Sequence, residues 1–249
     1  MDRTIYKSTF TRTRASDWMC PTCKKGYLRL IDNSFKVHER RYSREAHVHP
    51  NWDPAWQENV YSCMLKCNNE QCEEVVANSG TGGFEIDYFY GVDDVPDHRL
   101  VSFFRPRFFE PPLAIIDIPI NCPATVAQPL QESFRLFFCS PSSSSNNVRI
   151  AIEVLLTELG VPTHNKKEER LFLNARLKLL PEKYANFKEL LMAIKWLGNA
   201  GSHPGSVITI DDVMDAYEII EHILHELYIQ KAKKAKALAE KITNSFKPT

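Results

Sequence analysis

The 249-residue sequence lacks any apolar run of the roughly 20 residues a helix needs to cross a bilayer, which excludes a helical membrane span. No leader is expected either. The opening MDRTIYKSTFTRTR is basic, but no apolar stretch of the kind found in a signal peptide accompanies it. A soluble, cytoplasmic protein with no membrane partner is expected. Net charge is missing as well, with 31 Lys and Arg against 31 Asp and Glu, so little long-range repulsion opposes self-association. Two catalytic signatures are absent. His222-Ile-Leu-His225-Glu226 is neither HExxH nor HxxEH, which removes a zincin reading. The glycine-rich SGTGGF at 79–84 has no helix start behind it, as a phosphate-cradling loop requires; FEIDYFY alternates like a strand, so a hairpin turn is expected there.

What is present suits two domains. With 43% hydrophobic and 11% aromatic residues, the chain can bury real cores, and its length exceeds that of most single compact domains. Charge is unevenly spread. Residues 1–50 hold eleven Lys/Arg against five Asp/Glu, a net +6, and residues 51–100 hold two against ten, a net −8. Such asymmetry suits either a nucleic-acid-facing surface or neighbouring strands that pair with each other, and self-pairing is the simpler account.

Seven cysteines in a chain without a secretion signal point to metal or redox chemistry rather than to disulfides. Cys20-Pro-Thr-Cys23 is followed by the turn Lys24-Lys25-Gly26 and the alternating YLRLI, the continuation of a zinc knuckle rather than of a thioredoxin-like helix. The second pair must come from Cys63, Cys67 and Cys72. Tetrahedral zinc holds its sulfurs within about 4 Å of one another, whereas Cys63 and Cys67 on one strand lie roughly 13 Å apart at about 3.3 Å per residue. Cys67-Asn-Asn-Glu-Gln-Cys72 can fold back, so the ligands expected for one structural Zn2+ are Cys20, Cys23, Cys67 and Cys72. Cys63, Cys122 and Cys139 read as packing cysteines. The gap between the pairs carries His38, His47, His49, Trp52 and Trp56, which suit a second metal or base stacking less well than an exposed, decorated hairpin.

The prolines of VPDHRLVSFFRPRFFEPPLAIIDIPINCP forbid a long helix, and the segment reads as an extended connector. From about Thr125 the period becomes helical. VAQPLQESFRLFF is a first helix, and the serines of CSPSSSSNN form a polar loop before VRIAIEVLLTELG, whose Val148, Ile152, Leu155 and Leu159 share a face closed by Gly160 and Pro162. Arg149 and Glu153 on this helix read as a surface ion pair worth about 0.2–0.5 kcal/mol. EERLFLNARLKLL and YANFKELLMAIKWL give two more helices, the second running into KWLGNAGSHPG, where Gly198 or Gly201 can adopt the left-handed conformation that ends helices. The last helix opens on a capping box, Thr209-Ile-Asp-Asp212, and carries Val213, Tyr217, Ile220, Leu224 and Leu227 on one stripe before fading into KAKKAKALAEK.

Taken together, the cysteine ribbon, the aromatic-proline connector, the VRIAIE helix and the WLGNAGSH break resemble the bacterial family known as domain of unknown function 4145, over Cys20 to Tyr228. That family is similar to a branch of the HEPN superfamily of helical bundles. The resemblance implies an α+β chain: a β-rich zinc ribbon over 1–110, a proline-rich connector over 111–124 and a HEPN-like bundle of about five helices over 125–249. It also implies a homodimer, because HEPN motifs meet in pairs, and a place in a phage-defence or toxin–antitoxin system. Many members are metal-independent endoribonucleases whose signature is an arginine, a polar residue and a histidine. Here Asn199 takes the polar place and His203 the histidine place, but Gly198 stands where arginine is expected. Lys195, four residues before Asn199 and so on the same helical face, can supply the missing charge without the bidentate fork of arginine. A histidine can carry the proton transfers near neutral pH. Two other readings stay open. The chain is then a non-catalytic module that contacts a protein partner or nucleic acid in such a complex, or a transcription-like zinc-ribbon nucleic-acid binder.

Overall fold

Strict alternation along NVYSCMLKC places Asn59, Tyr61, Cys63, Leu65 and Cys67 on one buried face of a strand, and the N-terminal sheet is built around it. The computed structural model describes residues 2–90, 96–201, 207–229 and 231–246. A short helix α1 (Thr4–Lys7) leads to strands β1 (Leu28–Leu30) and β2 (Lys36–Glu39), helix α2 (Arg41–Ala46), and strands β3 (Asn59–Cys67), β4 (Val75–Tyr90) and β5 (Pro96–Glu110). The sheet is antiparallel in the order β1-β3-β4-β5, with β2 pairing the other part of β3's edge. Its core is aromatic. Phe10, Tyr61 and Phe104 meet at centroid separations of 5.2–5.9 Å. The fully buried Trp18 meets Phe10 at 5.3 Å and donates its indole N–H to the Ile5 carbonyl at 3.0 Å.

Three expectations are corrected here. SGTGGF is no hairpin turn but the middle of β4, which bulges between Ser79 and Gly80. A Cβ on Gly82 would sit 2.5 Å from the Phe104 ring, and one on Gly80 would collide with the Arg105 carbonyl. The glycines therefore let the aromatic core lie directly against the backbone. The aromatic-proline stretch is not a connector throughout: Pro96–Glu110 is β5, an edge strand, where proline costs no interior ladder bond. Residues 111–123 contain neither helix nor strand. The His/Trp segment is also more than a hairpin, since α2 and a 3-10 turn at Pro54–Trp56 stand between β2 and β3.

The chain divides into two compact units, Met1–Ala114 with Phe134–Ser140, and Ile115–Ser133 with Pro141–Thr249. The second contains most of α3 (Ala124–Leu136), then α4 (Pro141–Glu158), α5 (Leu173–Lys178), α6 (Lys188–Ala200), α7 (Ile210–Tyr228) and α8 (Lys231–Phe246). Among the described residues no helix is long and apolar enough to cross a membrane.

Val148, Ile152 and Leu155 of α4 are fully buried, and Gly160 ends the helix at φ 85°. The carbonyls around that end are gathered by Arg176, a buried side chain from α5 that donates to Glu153 O, Val161 O and Pro162 O and to Thr157 Oγ1, at 2.8–3.2 Å. Burial lowers the Arg176 pKa below the usual guanidinium range. Helix α7 starts as expected: Asp212 N–H donates to Thr209 Oγ1 at 3.2 Å, and Thr209 N–H donates to Asp212 Oδ2 at 2.8 Å. Its Val213, Tyr217, Ile220 and Leu224 are buried.

Three helical expectations are corrected. The serine run is not a loop but the first turns of α4, with Pro141 leading and Ser144 and Ser145 buried. Ser144, Ser133 and the Tyr217 hydroxyl bond one another at 2.7–3.0 Å, so small hydroxyl side chains satisfy a phenol inside the unit. The third helix is confined to Leu173–Lys178, because the residues before it fold into a turn centred on the Asn165 side chain, which accepts from the N–H groups of Lys167 and Glu169. Neither Gly198 nor Gly201 is left-handed. Helix α6 runs through Gly198 to Ala200, and Gly201 has φ −62°.

Candidate functional site

The four predicted cysteines come together. All four sulfurs lie within 4.8 Å of one another, with Cys20 and Cys72 3.8 Å apart and Cys23 and Cys67 3.7 Å apart. A tetrahedral ion with metal–sulfur bonds of about 2.3 Å separates its ligands by about 3.8 Å, so the donor set fits a soft, four-coordinate metal.

Local backbone chemistry builds each half. Cys20 N–H donates to Gly26 O at 2.8 Å, Lys24 N–H to Cys20 O at 3.0 Å, and Lys24 takes a positive φ of 52°, which closes the first turn. In the second, Cys67 ends β3, its N–H donates to Glu74 O at 2.8 Å, and Glu73 turns the chain at φ 51°. Asn68 joins the halves: its Oδ1 accepts from Tyr27 N–H at 2.8 Å and its N–H donates to Tyr27 O at 3.0 Å. Only glycine fits at position 26, where a Cβ would lie 2.5 Å from Cys67 Sγ and 2.9 Å from Asn68 Oδ1.

The electrostatics prepare thiolates unevenly. The N–H groups of Gly26 and then Lys25 hold the Cys23 thiol down to about 6. Burial raises Cys20 and Cys67. The Glu74 N–H lowers Cys72, but burial and the neighbouring Cys23 and Cys20 raise it overall. Cys63 stays out of the cluster. It is buried, its thiol is 3.8 Å from Asn78 Oδ1, and burial pushes it up to about 12. Cys122 and Cys139 also lie outside it.

The histidines between the cysteine pairs form no metal cluster among the described residues. His47 instead contacts Glu39 at 2.8 Å and the Trp52 ring at 4.5 Å, and His49 lies 5.5 Å from Trp56.

In the helical unit, Lys195 and Asn199 lie one turn apart on α6, while His203 lies outside the described residues. Lys195 is buried at 6% exposure. Its ammonium donates to Asn174 Oδ1 of α5 at 3.2 Å and sits over the Trp196 ring, 3.6 Å from the centroid. Among the described residues no carboxylate lies within ion-pair distance of it. Asn199 is half-buried, and its side-chain amide has no hydrogen-bond partner among the described residues.

Sequence reasoning missed how Gly198 is used. A Cβ there would lie 2.5 Å from Arg149 Cβ and 3.0 Å from its Cδ, so the stem of Arg149 covers the position where the arginine of the motif was expected. The Arg149–Glu153 pair is therefore not a plain surface pair. Both side chains are about three-quarters buried, and Arg149 Nε also donates to Asn146 Oδ1 at 3.1 Å. The available signal was a glycine within a helix, which marks close approach as readily as a helix end.

Family models match both units. Domain of unknown function (DUF8608) matches residues 8–109, which hold all four clustered cysteines, and Domain of unknown function (DUF4145) matches residues 131–242. The expected likeness to the DUF4145 family is thus found over the helical half of the chain. The DUF4145 match includes Arg149, Lys195, Gly198 and Asn199. No curated protein and no solved structure matches the chain.

Proposed function

We propose that the chain is a HEPN-like effector of a bacterial phage-defence or toxin–antitoxin system, a cytoplasmic homodimer that cleaves RNA without a catalytic metal. Its N-terminal half is a zinc ribbon, in which Cys20, Cys23, Cys67 and Cys72 hold one structural Zn2+. Four thiol donors suit zinc in a closed site.

The observation that carries the RNA reading is Lys195. Buried charges are ordinarily paired, and this ammonium has an amide oxygen and an indole face but no carboxylate among the described residues. A phosphate supplies the missing counter-charge. The stem of Arg149 lies over Gly198, but its guanidinium is paired with Glu153, so Lys195 is left to supply the charge in place of the motif's arginine. In the reaction, one His203 takes the proton of a ribose 2′-hydroxyl, the 2′-oxygen attacks phosphorus, and the bond to the 5′-oxygen breaks. His203 of the second copy protonates the departing 5′-oxygen, leaving a 2′,3′-cyclic phosphate and a 5′-hydroxyl. Lys195 stabilises the charge that gathers on the phosphoryl oxygens, and Asn199 orients the group.

The test is cleavage of labelled total RNA by wild type and His203→Ala, with melting temperatures measured alongside. Loss of cleavage at unchanged melting temperature supports the reading. Equal cleavage by both removes His203 from the chemistry, and no cleavage by wild type favours a non-catalytic module that contacts a protein partner or nucleic acid.

A further inference from the structure

We infer that Trp196 is a base-stacking platform, so that the ligand of the Lys195 face is single-stranded RNA; this rests on the RNA reading above and names its substrate class. Trp196 is 62% exposed on a helix that buries Leu191 and Ile194, in a chain that buries Trp18 completely. An indole left in water forgoes the stabilisation that burying it would bring. One face of the ring is already used, because the Lys195 ammonium lies over it 3.6 Å from the centroid. The rest of the side chain is largely exposed, and no aromatic ring packs on it among the described residues.

An under-paired ammonium and a largely exposed aromatic ring thus lie side by side, within reach of one nucleotide. The cation suits a phosphate and the ring suits a base. Every base has a face that can stack on an indole, so such a platform tolerates sequence. In a duplex those faces are covered by neighbouring bases, which restricts the platform to unpaired strands.

The experiment uses the full-length His203→Ala protein, which the proposal expects to bind without cleaving, and compares Trp196, Trp196→Phe and Trp196→Ala on a labelled single-stranded RNA and on the same sequence as a duplex. Trp196→Ala is expected to weaken single-strand binding by about 5- to 150-fold. Trp196→Phe should restore most of it, and duplex binding should be weak and alike in all three. Unchanged single-strand affinity in Trp196→Ala overturns the platform while leaving the RNA reading intact. Failure of the parent to bind any RNA, with wild type inactive, overturns both. A drop in oligomer mass on Trp196→Ala with RNA affinity unchanged assigns the ring to a subunit interface and overturns the platform.

Discussion

In the sheet unit, two short turns joined by Asn68 hold all four thiols, and each turn sets its own geometry with backbone hydrogen bonds. In the helical unit, the polar groups of interest come from α4, α5 and α6, and none of these helices alone defines the arrangement. The first site is satisfied once a metal is bound. The second retains a buried ammonium that has an amide oxygen and an indole face but no carboxylate partner among the described residues. A site whose groups satisfy each other holds a fold together; a site that leaves groups unsatisfied inside a folded unit bears a cost that a ligand can relieve.

The largest effect expected from breaking this contrast is at the cysteines. Cys67→Ser should abolish zinc binding, measured by elemental analysis, and unfold the N-terminal unit, because structural zinc contributes about 10–16 kcal/mol of binding free energy that is coupled to folding. Cys63→Ala should keep one zinc per chain. The two cysteines share a strand face, so the pair of variants separates ligation from burial. Cys63 also gives a pH signature. Its folded value of about 12 exceeds the ordinary 9.0, so the stability it contributes is complete below about 9 and fades as pH rises towards 12. Iodoacetamide should leave it unlabelled in the native protein at about pH 9, and rapid labelling there would contradict its placement.

A smaller effect is expected where helices touch. Gly198→Ala gains about 1 kcal/mol of helix propensity but puts a methyl 2.5 Å from Arg149 Cβ. Overpacking of this kind costs about 1–3 kcal/mol, so a net fall in melting temperature is predicted. A rise would mean that Arg149 does not cover this glycine.

Much of this was legible beforehand, for physical reasons that differ between the halves. Metal–sulfur distances are short and fixed, so spacing alone selected Cys67 and Cys72 over Cys63. The capping box at Thr209 and Asp212 was equally plain, because its bonds span only three residues. Tertiary packing hid the rest. The glycines at 80 and 82 looked like a turn because their use, admitting Phe104 and Tyr61 against the backbone, depends on strands far apart in sequence. The serines at 142–145 looked like a loop because hydroxyl side chains favour helix ends, yet a Cβ at Gly201 would meet the Ser142 carbonyl at 2.7 Å and Ser144 bonds Tyr217. Gly198 was misread as a helix end for the same reason, since Arg149 lies on another helix.

The contrast between the two regions is tested most directly by Lys195→Met, assayed for RNA cleavage, zinc content and melting temperature in one preparation. Replacing a buried charge that has no carboxylate partner among the described residues with an apolar side chain of similar length is predicted to keep or raise the melting temperature. Zinc should remain at one per chain, while cleavage should fall by on the order of 10²-fold. A lower melting temperature with cleavage intact would show Lys195 to be a structural residue and contradict the account.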